Sequence, residues 1–217
     1  MTLELFAHPF SSYCQKALIA LYENDIPFTY RMLEDEGVGE ELAVLWPIKR
    51  FPILREGGRV VLETSIIIEY LQIHHPGPVR LIPEDPDLAL EVRMLDRFFD
   101  NYVMTPQGDC VFDAIRPEGD RDPYGVAQAG EMLQTSYAWL DARMKNRIWA
   151  AGDDFTLADC AASPSLFYAD WVHPIAGAHA TLRAYRARLL ARPAFARAVD
   201  EARYFRPHFP LGAPDRD

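Results

Sequence analysis

The chain has 217 residues, of which 49% are hydrophobic, 12% aromatic and 25% charged, with a formal net charge of −10. That length accommodates one large domain or two smaller ones around a substantial core. The acidic balance argues against nucleic acid and anionic membranes as partners, and no apolar run reaches the roughly 18 residues that a bilayer span needs. Only Lys16, Lys49 and Lys145 are lysines; the other basic residues are arginine. Cys14, Cys110 and Cys160 form an odd, widely spaced set with no disulfide or zinc pattern, which fits a reducing cytoplasm. Met1-Thr2-Leu3-Glu4 carries no basic stretch of the kind that opens a secretory leader.

Leu3 to Ala7 reads as a short strand that His8-Pro9-Phe10 breaks. Behind it, Cys14, Ala17, Leu18, Leu21 and Tyr22 share one face of a helix. Ser11-Ser12-Tyr13-Cys14 therefore sits where a strand hands over to a helix N-terminus. Free backbone N–H groups and the positive end of the helix dipole favour an anion there, a thiolate included. Read alone, Ser11 or Ser12 is equally a plain helix cap.

Pro27 to Leu33 alternates as a second strand, and Glu40 to Trp46 is a short helical stretch. Phe51 to Arg55 is a third strand, Gly57-Gly58 a hairpin turn, and Arg59 to Leu62 the returning strand. Glu63-Thr64-Ser65 opens a helix expected to turn Ile67, Tyr70, Leu71 and His74 to one face. The order β-α-β-α-β-β-α describes a small sheet with a parallel crossover first and a hairpin last. Pro52, at the start of a strand, is either an ordinary trans proline or a cis Phe51-Pro52 bond that turns the Phe51 backbone toward a cleft. His74-His75 is a surface pair with no third metal ligand in view.

Pro76 to Pro86 is the clearest linker. Beyond it the pattern is all helical. Leu88, Val92, Leu95, Phe99 and Tyr102 share a face of a long helix expected to bend before Pro106. Arg116 to Tyr124 is a loop. Val126, Leu133, Tyr137, Leu140 and Met144 mark a second long helix, antiparallel to the first. Thr156 and Asp159 form a capping box for a helix that Pro164 is expected to interrupt. Leu182, Tyr185 and Leu189 mark a further helix. Pro193 opens the last one, with Phe195, Val199 and Ala202 inward. The tail from Pro207 is irregular. The whole divides into residues 1–77, a linker at 78–86, and an all-helical bundle at 87–217.

This arrangement resembles the cytosolic glutathione transferase family over nearly its whole length. The resemblance rests on motifs in the right order. Ser11 to Leu21 is similar to the family's catalytic serine or cysteine segment. Trp46-Pro47-Ile48-Lys49-Arg50-Phe51-Pro52-Ile53-Leu54 is similar to its Asn-Pro-x-x-x-Val-Pro-x-Leu stretch with a cis-proline. Leu62-Glu63-Thr64-Ser65-Ile66-Ile67-Ile68-Glu69-Tyr70-Leu71 resembles its Glu-Ser-x-x-Ile-x-x-Tyr-Leu motif, with Thr64 for Ser. Phe155-Thr156-Leu157-Ala158-Asp159 resembles its capping segment in the helical domain. The resemblance implies an N-terminal thioredoxin-like domain, a helical domain, glutathione as co-substrate with no metal, a two-fold homodimer, and a cytoplasmic detoxifying transferase.

The resemblance also distributes roles. Ser11 aligns with the catalytic position, with Ser12 and Cys14 as alternatives. A hydroxyl there donates a hydrogen bond to the glutathione thiolate without ionising. The backbone of Phe51, beside Pro52, would pair with the cysteinyl backbone as a strand does. Glu63 suits the γ-glutamyl ammonium, and the Thr64 hydroxyl with the helix N–H groups suits its carboxylate. Lys49 or Arg50 would meet the glycine carboxylate. Phe10, Tyr102, Met104, Phe167 and Trp171 are candidates for an apolar wall around a small electrophile, against the reading that residues of this kind at helical spacing are core.

Ser11-Ser12-Tyr13-Cys14 is also similar to a glutaredoxin Cys-x-x-Cys whose first cysteine is replaced. That loss argues against dithiol exchange and leaves Cys14 as a buried packing residue. The Ser-Ser pair and the prolines at 47 and 52 resemble the maleylacetoacetate isomerases of the family as well, but Tyr13 displaces the cysteine of their Ser-Ser-Cys run. A glutathione-dependent isomerase and a non-catalytic glutathione-binding or interaction module are the alternatives.

Overall fold

The structure is a computed structural model that describes residues 2–217. Four strands, β1 (Leu3–Ala7), β2 (Thr29–Met32), β3 (Ile53–Glu56) and β4 (Arg59–Val61), form one sheet ordered β2-β1-β3-β4. β1 pairs parallel with β2, setting Leu5 beside Tyr30, and antiparallel with β3, setting Leu5 beside Leu54. β3 and β4 close the hairpin at Gly57-Gly58, where Gly57 takes a φ of 59°. Strand alternation splits the apolar residues between two faces. Leu3, Leu5, Leu54 and Val61 join the main core, while Phe6 and Ile53 join a smaller one.

α1 (Ser12–Glu23) and α3 (Thr64–His74) belong to the main core, and α2 (Val38–Leu45) supplies Val38 and Leu42 to the smaller one. This is the thioredoxin-like arrangement expected, with two adjustments. α1 is buried throughout from Cys14 to Leu21, not along one face, because helices of the C-terminal part pack on it as well as α3. On α3 the inward line is Thr64, Ile67, Ile68 and Leu71. Tyr70 is half-buried at the edge of the core instead, its hydroxyl donating to Glu56 of β3 at 2.6 Å, with the tilted His74 ring 4.3 Å away.

The helical part comprises α4 (Pro86–Phe99), α5 (Thr105–Ala114), α6 (Pro123–Arg143), α7 (Leu157–Val172), α8 (Ala180–Leu190) and α9 (Pro193–Ala202). α4 and α5 are joined by a π-helical segment, Asp100–Met104. The bend expected ahead of Pro106 is therefore a widened turn. Pro106 has no N–H for the Tyr102 carbonyl, and Ser136 of α6 donates to that carbonyl instead, at 2.8 Å. The extra residue in the turn rotates the register. Val103 and Met104 face inward, and Tyr102 is 47% exposed rather than continuing the buried stripe.

Pro164 does not interrupt α7 as expected. The helix runs through it, and every residue from Leu157 to Trp171 is buried. Packing against α1, α4, α5 and α8 outweighs the hydrogen bond that a mid-helix proline removes. The adjacent Ser163 and Ser165 hydroxyls donate to the Asp159 and Ala161 carbonyls, each at 2.8 Å.

The capping box at Thr156 and Asp159 is present. It also reaches beyond its own helix. The Asp159 carboxylate, 0% exposed, accepts from the backbone N–H of Thr156 at 2.9 Å and of Ala150 at 2.8 Å. It further accepts from the Tyr185 hydroxyl of α8 at 2.6 Å. One side chain thus joins the start of α7, the preceding loop and α8. Asp159→Ala leaves these donors buried and unmatched, and is expected to lower unfolding free energy by about 3 kcal/mol, read from the denaturant midpoint.

Candidate functional site

β1 ends at Ala7, and the chain turns through His8-Pro9-Phe10 into α1. The turn is fixed internally. Ser11 N donates to the His8 carbonyl at 3.0 Å, and Phe10 N to His8 Nδ1 at 3.1 Å. Gln15, fully buried, donates from Nε2 to the Pro9 carbonyl at 3.0 Å and to Tyr168 of α7 at 3.1 Å. Ser11 is the N-cap of α1, with extended backbone, and its hydroxyl accepts from Cys14 N at 3.4 Å. Ser11, Ser12 and Tyr13 are half-buried at the mouth of the helix, whereas Cys14 is 0% exposed.

Burial decides which of these groups can act. It pushes the Cys14 thiol up to about 12, so at neutral pH the sulfur is a thiol that accepts from His8 N at 3.4 Å. Burial, with the neighbouring Asp100 carboxylate, pushes the Tyr13 phenol up to about 12 as well. Cys110 and Cys160 are buried with raised thiol values. Among the residues at this helix end, neutral hydroxyls are the groups able to donate to an anion.

The Phe51-Pro52 bond is cis. Pro52 is buried and leads into β3, and Phe51 is 38% exposed. Lys49 and Arg50, just ahead, are exposed, and Lys49 takes a positive φ of 57°. Past β4, Glu63 caps α3 with a φ of 68°, a region that non-glycine residues seldom occupy. Its side chain is exposed, and Thr64 behind it is 7% exposed at the start of the helix. α1 and α3 pack together, so two helix N-termini belong to one helix pair on the same face of the sheet.

The aromatic candidates divide. Phe10 meets Trp171 at 6.4 Å between ring centres, and Phe167 meets Trp171 at 4.7 Å. The same group includes Tyr168, 5.5 Å from Phe10, and Phe209 of the tail, 6.2 Å from Phe10, neither of which the sequence pattern singled out. Met104 and Phe167 are each 3% exposed. Tyr102 packs against Phe98 at 5.4 Å on the outer side of the π segment.

Two cavities lie elsewhere. One of about 570 Å³ runs along β2 and α9, lined by Tyr22, Phe28, Tyr30 and Phe205. The other, about 420 Å³, lies between α5, α6 and the tail, lined by Cys110, His173 and Pro210. Neither is lined by Ser11 or Thr64.

Sequence reasoning missed one group here. Lys16 is 0% exposed and meets Asp96 at 2.5 Å and Asp100 at 2.9 Å. A signal was present: a lysine within the otherwise apolar core of α1, and acids four residues apart, Asp96 near the end of α4 and Asp100 at the start of the π segment. No cluster of three or more metal-ligating side chains is present among the described residues. His75 pairs with Glu56 at 3.1 Å. No helix among those residues is long and apolar enough to cross a membrane.

Comparison with known proteins bears on this geometry. Residues 5–79 match the family model described as glutathione S-transferase, N-terminal domain, and residues 111–193 match glutathione S-transferase, C-terminal domain. A probable glutathione S-transferase of Nicotiana tabacum is 33% identical over 116 residues, 53% of this chain and 47% of that one. The chain thus spans about half the length of such plant relatives. A stringent starvation protein A homolog of Coxiella burnetii is 26% identical over 207 residues, 92% of each chain. A glutathione S-transferase of Methylobacterium radiotolerans, solved in complex with glutathione sulfonate, is 29% identical with a TM-score of 0.79, covering 92% of this chain and 95% of that one. With both domain models matched in order on this fold, the chain belongs to the cytosolic glutathione S-transferase family.

Proposed function

We propose that the protein is a glutathione transferase in which Ser11 activates the glutathione thiol for attack on a small apolar electrophile. The observation that carries this reading is the contrast at the start of α1. Ser11 caps the helix with a half-buried hydroxyl, while Cys14, the more reactive residue type, is sealed in the core. A thiol brought to Ser11 meets a hydroxyl donor, free N–H groups and the positive end of α1, all of which favour the thiolate. The hydroxyl donates without ionising, so the thiol proton leaves to solvent and the sulfur carries the nucleophilic charge. Ser12 offers the adjacent alternative donor.

The other contacts follow the tripeptide. The Phe51 backbone beside Pro52 pairs with the cysteinyl backbone, Glu63 receives the γ-glutamyl ammonium, and Thr64 with the α3 N-terminus receives its carboxylate. Lys49 or Arg50 meets the glycine carboxylate. Half-buried Phe10 faces the electrophile, with the buried Met104, Phe167 and Trp171 as the apolar backing of that wall and Tyr102 at its outer margin. Glutathione bound to the Methylobacterium relative as its sulfonate supports the co-substrate. The protein works in the cytoplasm as a two-fold homodimer, with the domains divided at residues 78–86 and detoxification as its role. Exposed Ile66 and Ile73, two turns apart on one face of α3, are apolar residues that such a pairing would bury.

A second reading is a binding module without turnover. It is favoured by the Coxiella relative, which is not named as a transferase and matches over 92% of both chains. Glutathione calorimetry with a panel of electrophiles, maleylacetoacetate included, separates the readings. Conjugation supports the transferase, isomerisation the isomerase, and binding without turnover the module.

Within the transferase reading, Ser11→Ala is expected to lower kcat/KM for conjugation by roughly 10²–10³-fold, as loss of one preorganised donor to a developing anion does. Cys14→Ala is expected to stay within about threefold of the parent, and loss of activity only in that variant would overturn the assignment. Iodoacetamide at pH 8 is expected to leave Cys14 unmodified in the folded protein and to label it after denaturation, followed by peptide mass mapping, because the thiol lies near 12 only while buried.

A further inference from the structure

α1 and α3 are joined near their N-termini by a side chain that their apolar patterns do not announce. Lys16 lies one turn below Ser12 on α1 and is 0% exposed. Its ammonium donates to Asp100 Oδ1 at 3.0 Å and Oδ2 at 2.9 Å, and meets Asp96 Oδ1 at 2.5 Å. It also donates to Ser65 Oγ at 3.1 Å. Ser65 is the second residue of α3, directly after Thr64. Its hydroxyl donates to Asp96 Oδ2 at 2.7 Å and accepts from Arg97 Nη2 at 2.5 Å. Arg97 also donates to Asp96 at 2.8 Å and to Asp100 at 2.6 Å.

Lys16 and Arg97 balance Asp96 and Asp100, so the cluster is neutral where the sheet part meets the helical part. Against apolar packing, such a buried cluster adds little net stability. What it supplies is direction, because charge-assisted hydrogen bonds hold their partners at set lengths and angles. Here they hold the first turn of α3, through one hydroxyl, to α1, α4 and the π segment at once.

A ligand that bridges two helix ends is sensitive to their separation, since misplacement of one end by a fraction of an ångström is lost at the other. In the glutathione reading, on which this inference rests, the thiol lies at Ser11 on α1 and the γ-glutamyl carboxylate at Thr64 on α3. We propose that Lys16, acting through Ser65, is a positioning residue that sets the spacing of the two helix N-termini holding opposite ends of glutathione. Asp96 and Asp100 hold the ammonium in place, and Arg97, whose side chain is 52% exposed, closes the cluster toward solvent.

Lys16→Met strands two buried carboxylates and can prevent folding, so the decisive variant is Ser65→Ala, which keeps every charge of the cluster. Glutathione Kd by calorimetry and KM by conjugation are expected to rise about tenfold, and Ser65→Thr, which keeps the hydroxyl, is expected to restore both. Cysteinylglycine, a thiol without the γ-glutamyl arm, is expected to react with equal kcat/KM in the parent and in Ser65→Ala. An unchanged glutathione Kd in Ser65→Ala, with the parent binding normally, would overturn the positioning role alone. An equal loss with both thiols would also overturn it, as general loosening of the site. Absence of glutathione binding by the parent protein would overturn the glutathione reading itself and this inference with it.

Discussion

Burial of α1 by both parts of the chain is the constraint on which the molecule depends. α3 packs on it from the N-terminal part, and α7 and α9 pack on it from the helical part. Eight consecutive residues, Cys14 to Leu21, are consequently out of solvent. A helix enclosed in this way belongs to both parts of the chain at once, and only its ends stay near water. The site inherits its character from that arrangement. The N-terminal end, with its unpaired N–H groups and the Ser11 hydroxyl, opens at the boundary, while Cys14 one turn in loses the hydration that a thiolate needs.

The boundary is held by polar groups as well as by apolar packing. Gln15 reaches from α1 back to Pro9 and across to Tyr168, and Lys16 reaches across to Asp96 and Asp100. Neighbouring residues on one helix thus point polar ends into the helical part from the interior of the core. Groups of this kind are costly to bury unless matched, so their directions are set tightly. The aromatic group around Phe10, Tyr168, Trp171 and Phe209 adds edge-to-face contacts on the same side, and brings the tail against the turn before Ser11.

Prolines show how context alters a local rule. Pro106 follows a π turn, where Ser136 satisfies the carbonyl it leaves, and Pro164 sits inside a helix that stays continuous. The local cost is the same in each case: one missing N–H and crowding of the preceding turn. The outcomes differ because α7 is packed on every side, so its axis cannot bend without opening the core.

The order of strands and helices, the hairpin at Gly57-Gly58, the capping box at Thr156 and Asp159, and the turn that ends in Ser11 were legible in the residues themselves, because period, caps and turn chemistry are local properties. The cis Phe51-Pro52 bond was legible only through resemblance to a family, since composition alone favours the commoner trans isomer. Burial of Cys14 was expected from its place in the motif, whereas two matters were decided by tertiary structure alone: that Tyr102 leaves its stripe, and that Lys16 lies beside Asp96, Asp100 and Ser65. Each depends on what packs against a residue from a distant part of the chain. Desolvation and ion pairing are set by those neighbours, and a sequence specifies its neighbours only once it has folded.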